Sequence, residues 1–289
     1  MSGLVWLRLA RVSNLPTVWT NALVGTVLAE AEDAARILVV IVALSLFYTA
    51  GMLLNDAFDH AIDARERPQR PIPSGEVALE TVLAVGFAGL LVGLLVLLLA
   101  AHGFAPSTGW RPLLAGLALA GAILLYDRHH KRNPLGPLLM ASCRLLAYLT
   151  AGYAVATMLP GALWLAALAG GCHVVGLTYV ARQENLTRLE NLWPLALLAV
   201  PLLYGLWLAA HGVLPAALWL GFAACLGVAL SWLRRRGPGD VPRAVVTMIA
   251  AIALLDGLFL AAAGHSGLGL LAALLFALTL ALQRWVRGT

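Results

Sequence analysis

The sequence predicts an all-α, polytopic transmembrane helical bundle, and three observations support that class. Of 289 residues, 61% are apolar and 11% charged, with a mean hydropathy of +0.88. Soluble domains carry roughly 45–50% apolar and about 25% charged residues, so this chain lacks the polar surface to cover a globule in water. Ten continuous apolar segments recur along it, each near the ~20 residues a spanning helix needs. Its basic residues gather in alternate loops. A soluble enzyme is excluded, and so is a disordered chain, whose composition is the opposite.

The segments run 16–31, 36–55, 77–101, 111–126, 136–158, 160–180, 191–211, 213–233, 243–263 and 266–283. Before the first, Arg8 and Arg11 stand among Leu4, Val5, Trp6, Leu7 and Leu9 with no small-residue cleavage site. Residues 1–15 therefore read as an interfacial amphipathic segment rather than a signal peptide. Short loops at Leu159-Pro160-Gly161, His211-Gly212 and Gly264-His265-Ser266-Gly267 favour antiparallel hairpins. None of the segments shows the period-2 alternation of a barrel. Residues 1–289 read as one transmembrane domain, with 264–289 an additional C-terminal span.

With this parse, sixteen of the 19 Lys and Arg residues fall on one side, Arg36 and Arg111 fall on the other, and Arg144 lies within a span. The asymmetry predicts a multi-pass protein of the cell membrane with both termini cytoplasmic. The net charge of +5 is thereby topological, and no nucleic-acid partner is expected. Cys143, Cys172 and Cys225 sit in apolar runs without CxxC spacing and read as buried small hydrophobes. Trp6, Trp110, Trp164, Trp193, Trp232 and Trp285 fall near span ends, where the indole ring anchors to the interface.

The densest acidic stretch, Asn55 to Asp63, follows the second segment on the basic side. On a helix, Asn55, Asp59 and Asp63 lie at about 0°, 40° and 80°, and Asp56 at about 100°. Three carboxylates on one face at a membrane edge repel unless a cation joins them. Hard oxygen ligands favour Mg²⁺, which commonly completes its shell with substrate phosphate oxygens. Arg65, Arg67 and Arg70 follow, in a loop stiffened by Pro68, Pro71 and Pro73. Arginine forks match phosphate geometry, so the two groups together suggest a magnesium-bridged diphosphate.

Asn55-Asp56-x-x-Asp59-x-x-x-Asp63, followed by Arg67-Pro68-x-Arg70-Pro71-x-Pro73-x-Gly75, resembles the first aspartate-rich motif of the UbiA superfamily of intramembrane prenyltransferases. Residues 11–25, with Asn14, Pro16, Asn21 and Gly25, are similar to the family's approach to its first helix. Tyr126, Lys131, Arg132, Asn133 and Gly136 resemble the basic segment after its fourth helix. The resemblance covers about residues 5–263 and implies nine to ten spans around a central cavity. It further implies a prenyl diphosphate donor, a lipophilic acceptor and Mg²⁺ on Asn55, Asp56, Asp59 and Asp63. Asn21, Asn55, Arg67, Arg70, Lys131, Arg132, Tyr179 and Arg182 are the expected substrate contacts. Asp56, Asp59, Asp63, Arg144 and Glu184 form the expected catalytic set. The physical demand is stabilisation of a diphosphate leaving group in a dry cavity.

The chain departs from the family where a second DxxxD motif is usual. Its Tyr179-Val180-Ala181-Arg182-Gln183-Glu184-Asn185 holds one carboxylate and an arginine, a pattern reminiscent of UbiA-like proteins of the EboC kind. Two readings follow: one metal suffices with Arg182 taking up phosphate charge, or the chain binds or translocates a lipid without chemistry. A third keeps transfer but moves phosphoribose onto a polyprenyl phosphate. Arg144 lies about 12 Å into its span. Unpaired, it would cost about 2.5–3.5 kcal/mol, so Glu184, Asp56 or bound diphosphate is its expected partner. Asp256 lies deeper and is either an acceptor-orienting group or a hydrogen-bonded packing residue.

Overall fold

The computed structural model describes residues 3–131, 133–182 and 193–286, and among them every regular element is a helix. Helix α1 (Gly3–Leu9) and a 3-10 turn (Val12–Asn14) lead into α2 (Leu15–Leu28), α3 (Ala34–Phe58) and the short α4 (His60–Glu66). Then follow α5 (Leu79–His102), α6 (Arg111–His129), α7 (Gly136–Tyr153) and α8 (Gly161–Arg182). The last elements are α9 (Trp193–Ala196), α10 (Ala199–Ala209), α11 (Val213–Arg235), α12 (Asp240–Ala262) and α13 (Ser266–Leu282).

Nine of the ten apolar segments each correspond to one helix, and α3, α5, α8, α11 and α12 are long and apolar enough to cross a membrane. The segment at 191–211 differs: it is divided into α9 and α10, with Pro194 and Pro201 bracketing the break. Pro201 lacks the N–H that would bond the Leu197 carbonyl in a continuous helix, whereas Pro194 sits in the first turn of α9, where proline is tolerated. Along α5, Leu91, Leu95 and Leu99 are exposed at four-residue spacing, a face suited to lipid. Helix α12 is buried all round from Ala250 to Ala261, as expected of an apolar helix without a polar stripe.

Helices α2 and α7 form a seam between two apolar cores. One core joins α2 and α7 to α8, α10, α11 and α12; the other joins them to α3, α5 and α6. Gly25 makes the close α2–α7 approach possible, since a Cβ there would lie 2.6 Å from the Tyr148 carbonyl oxygen and 2.4 Å from the Ala151 Cβ. Asp256 accepts hydrogen bonds from the hydroxyls of Thr20 and Tyr148, tying α12 to α2 and α7. The structure thus favours the packing role for this buried acid.

Arg36 is more than the topology marker the sequence suggests. It is 4% exposed, its Nε donates to the carbonyls of Ala100 (2.9 Å) and Ala154 (3.0 Å), and its Nη1 donates to that of Pro106 (3.0 Å). These bonds satisfy oxygens around the C-terminal ends of α5 and α7 that have no helical partner. Arg36→Met should lower stability by about 3–5 kcal/mol, measured by denaturant titration in detergent, because several bonds to a charged donor vanish together. A loss below about 1 kcal/mol would show that water replaces the guanidinium at no cost.

Candidate functional site

A cavity of about 390 Å³ opens between the two cores. Its inner wall is apolar, built from Leu44 and Phe47 of α3, Leu119 and Ile123 of α6, Val174 and Leu177 of α8 and Ile249 and Ile252 of α12. Its outer wall carries Arg11, Asn55, Asp59, Arg67, Arg70, Asp127, His130 and Lys131. Charged groups therefore meet at one end of an apolar shaft, with Arg144 and Asn21 also on the wall.

The acids are distributed around this mouth rather than joined in one cluster. Helix α3 ends at Phe58, Asp59 caps it, and α4 starts at His60, although the backbone bonds Asp59 N to Asn55 O and Asp63 N to Asp59 O continue through the junction. Asp59 faces the cavity and pairs with Lys131 Nζ at 3.2 Å and His130 Nε2 at 3.4 Å. Asp56 and Asp63 are turned toward Arg70, at 3.4 and 2.7 Å from its Nη1. Asp56 also receives Arg11 Nη2 at 3.0 Å and borders a second hollow with Arg8 and Arg284. Every motif carboxylate thus has a cationic partner. Burial alone would raise the Asp59 carboxyl, but the hydrogen bonds and positive charge of His130 and Lys131 outweigh it and hold the group below its usual range.

Three mouth residues escaped sequence reasoning. Arg11 adopts a left-handed backbone (φ 44°, ψ 48°), a conformation that costs a non-glycine residue about 1–2 kcal/mol. It aims its guanidinium between Asn55 Oδ1 (3.4 Å) and Asp56, a strained arrangement of the kind that collects at functional sites. His130 stacks on Tyr126 with ring centroids 4.8 Å apart, and both its ring nitrogens face oxygens. Asp127, 3% exposed, accepts from Asn55 Nδ2 at 3.1 Å through Oδ1, while its buried Oδ2 has no partner. The available signals were Arg11 at the head of the family-like N-terminal stretch and Asp127 beside Tyr126. Neither reveals its partner across the bundle.

Of the other predicted residues, Arg182 leaves the mouth and donates to the Asn133 carbonyl at 2.8 Å, bracing the basic loop between α6 and α7. Tyr179 lies on α8 outside the cavity wall. Arg132 and Glu184 lie outside the described residues. Arg144 does not pair with Asp56, as the sequence allowed; its Nη1 donates to Thr17 O and Asn21 Oδ1, both at 3.1 Å.

Oxygen donors on the cavity wall, namely Asn55, Asp59 and the half-unpartnered Asp127, fit a hard divalent cation. Among the described residues no cluster of three or more His, Cys, Asp or Glu forms a closed metal cage. An ion here would need oxygens from a second molecule, which suits Mg²⁺ bound together with a phosphate.

Comparison with known proteins agrees with this geometry. The Aeropyrum pernix K1 UbiA homologue superposes with a TM-score of 0.65 at 18% identity, covering 91% of this chain and 98% of that one. An Archaeoglobus fulgidus UbiA homologue bound to GPP and Mg²⁺ gives 0.55 at 15% identity over 96% and 98%. At such identity these likenesses establish the fold. Digeranylgeranylglyceryl phosphate synthase of Methanoregula boonei is 34% identical over 128 residues, 44% of this chain and 42% of the relative. That of Methanopyrus kandleri is 31% identical over 205 residues, 69% of each. For most of these relatives the match spans about half their length, as in the 50% of the Metallosphaera sedula enzyme. The sequence model of the UbiA prenyltransferase family matches residues 15–238, and this integral membrane chain therefore belongs to that family.

Proposed function

We propose that this protein is a Mg²⁺-dependent prenyltransferase, moving an isoprenyl group from a prenyl diphosphate to an aromatic or other lipophilic acceptor within the membrane. The observation that carries this reading is the two-part cavity, an apolar shaft ending in a mouth of paired acids and cations. The GPP and Mg²⁺ held by the Archaeoglobus fulgidus homologue support it.

Asn55, Asp56, Asp59 and Asp63 would hold the metal, with Asp127 as a further oxygen ligand. Bound Mg²⁺ supplies charge neutralisation for the departing diphosphate. Arg67, Arg70, Lys131 and the flanking Arg132 bind the diphosphate oxygens. Arg11, Arg70 and Lys131 neutralise the acids in the free protein, so they are already in place to turn toward phosphate when the acids take a metal. Phe47, Leu119, Ile123 and Ile252 enclose the isoprenyl chain and keep water from the allylic carbon as its C–O bond opens. The sixteen-to-two distribution of basic residues supports a cytoplasmic mouth with both termini on that side. The two apolar cores that meet on α2 and α7 support reading 1–289 as one domain, and Arg8 and Arg11 on the basic side support its interfacial start.

The test is pyrophosphate release by detergent-purified protein given prenyl diphosphates of several lengths and a mixed acceptor pool. Release is expected only with Mg²⁺, and EDTA should abolish it. Saturable binding of prenyl diphosphate with no release under any combination would instead mark a lipid carrier.

A further inference from the structure

We infer that the second hollow, between α1, the Arg70 loop and the end of α13, seats the phosphate of an anionic membrane phospholipid. It encloses about 410 Å³, and Arg8, Arg11, Asp56, Arg70, Glu76 and Arg284 line it. Four arginines against two carboxylates leave it with two excess positive charges. Arg11 and Arg70, which also line the central cavity, are held by Asp56 at 3.0 and 3.4 Å, and Arg70 by Asp63 at 2.7 Å. Arg8 and Arg284 differ: both are exposed, and among the described residues neither has an ion pair or a side-chain hydrogen bond. The charge open to a ligand therefore stands on these two, brought together from opposite ends of the chain.

The flanks of the hollow are the second, independent observation. On one side α1 exposes Leu4 and Leu7, three residues apart and so on one face, with Arg8 one turn on from Leu4. On the other, α13 exposes Leu274 and Leu278 at four-residue spacing and leads to the exposed Trp285, which itself lines the hollow. Apolar side chains and an indole beside exposed arginines match the level of a bilayer where headgroups meet acyl chains. A soluble phosphate would leave those flanks unused. Arginine forks fit phosphate oxygens, and a zwitterionic headgroup would bring a further cation into a hollow that already holds an excess of two. A seated lipid ties α1 to the end of α13, whose neighbouring Gln283 donates to Asn14 on the wall of the central cavity. Binding here requires no prenyl transfer.

The experiment titrates detergent-purified protein with phosphatidylglycerol, phosphatidylcholine of the same acyl chains, and glycerol 3-phosphate. Binding is read from lipid-bound species in native mass spectrometry and from the rise in thermal unfolding midpoint, since a ligand of the folded state stabilises it. Wild type should bind phosphatidylglycerol about 30-fold more tightly than phosphatidylcholine, because each of two arginines beside an anionic headgroup contributes roughly fivefold. Arg8→Gln combined with Arg284→Gln should bring that ratio under about threefold. Both side chains are exposed and unpaired, so the midpoint in phosphatidylcholine should stay at the wild-type value. Arg234→Gln combined with Arg243→Gln removes the same charge from exposed positions of the basic side outside the hollow, and should leave the ratio within about twofold of wild type. Equal affinity of wild type for the two lipids overturns the proposal, and that comparison needs no variant. So does a ratio that survives the loss of Arg8 and Arg284, or one that falls equally without Arg234 and Arg243, which would make the preference a property of the whole basic face. Displacement of phosphatidylglycerol by glycerol 3-phosphate at equal concentration would assign the hollow to a soluble phosphate and overturn the lipid as its ligand.

Discussion

Asp59→Asn should reduce pyrophosphate release about a thousandfold or more while leaving the protein folded. Asp59 is the motif carboxylate that faces the cavity, and the substitution removes its charge while keeping its shape. Metal-assisted stabilisation of a leaving group contributes several kcal/mol, and each 1.36 kcal/mol is about tenfold in rate. The structural cost is much smaller. Lys131 keeps 40% of its side chain exposed and can turn to water, so losing this pair should cost about 1 kcal/mol or less. Linkage gives a second readout. The Asp59 carboxyl lies below its usual range, so its contribution is present above about pH 4 and is lost as pH falls through the depressed value. Asp59→Asn should therefore lower the thermal midpoint slightly at pH 7 and by still less at low pH. Wild-type release by the mutant would remove Asp59 from the site.

The helices were legible because a membrane span is declared by local composition: twenty or so apolar residues in a row admit few other structures. Local chemistry also explains the one divided segment, since Pro201 cannot bond the Leu197 carbonyl whatever surrounds it. The site was legible only as a set of residue types. Helical periodicity places Asn55, Asp56, Asp59 and Asp63 near one face but says nothing of what each meets. In the structure Asp59 turns to Lys131, 72 residues away, while Asp56 turns to Arg11, 45 residues away. The partners of Arg36 and Arg144 were illegible for the same reason. They are backbone carbonyls and amides of distant helices, which no spacing rule encodes. The +5 net charge hides this arrangement, since cations and acids of the mouth largely cancel in the sum.

Asp127→Asn should separate stability from function, moving the two in opposite directions. The carboxylate is 3% exposed; one oxygen accepts from Asn55 and the other has no partner. An unsatisfied buried acceptor costs about 1–3 kcal/mol, more when charged. Replacing this buried acid by an amide that keeps an oxygen for Asn55 should therefore raise the stability of the ligand-free protein by about 1 kcal/mol, read from its unfolding midpoint. If Asp127 serves as a metal ligand, the same change should lower pyrophosphate release about a hundredfold and raise the Mg²⁺ concentration needed for half-maximal rate. Stabilisation by added Mg²⁺ and a prenyl diphosphate should shrink in parallel, because a ligand stabilises in proportion to its affinity for the folded state. A purely structural Asp127 predicts the reverse: lower stability, unchanged metal dependence and a rate that falls only as far as folded protein is lost. The two outcomes differ in sign as well as size, so a modest shift in the midpoint is enough to decide between them.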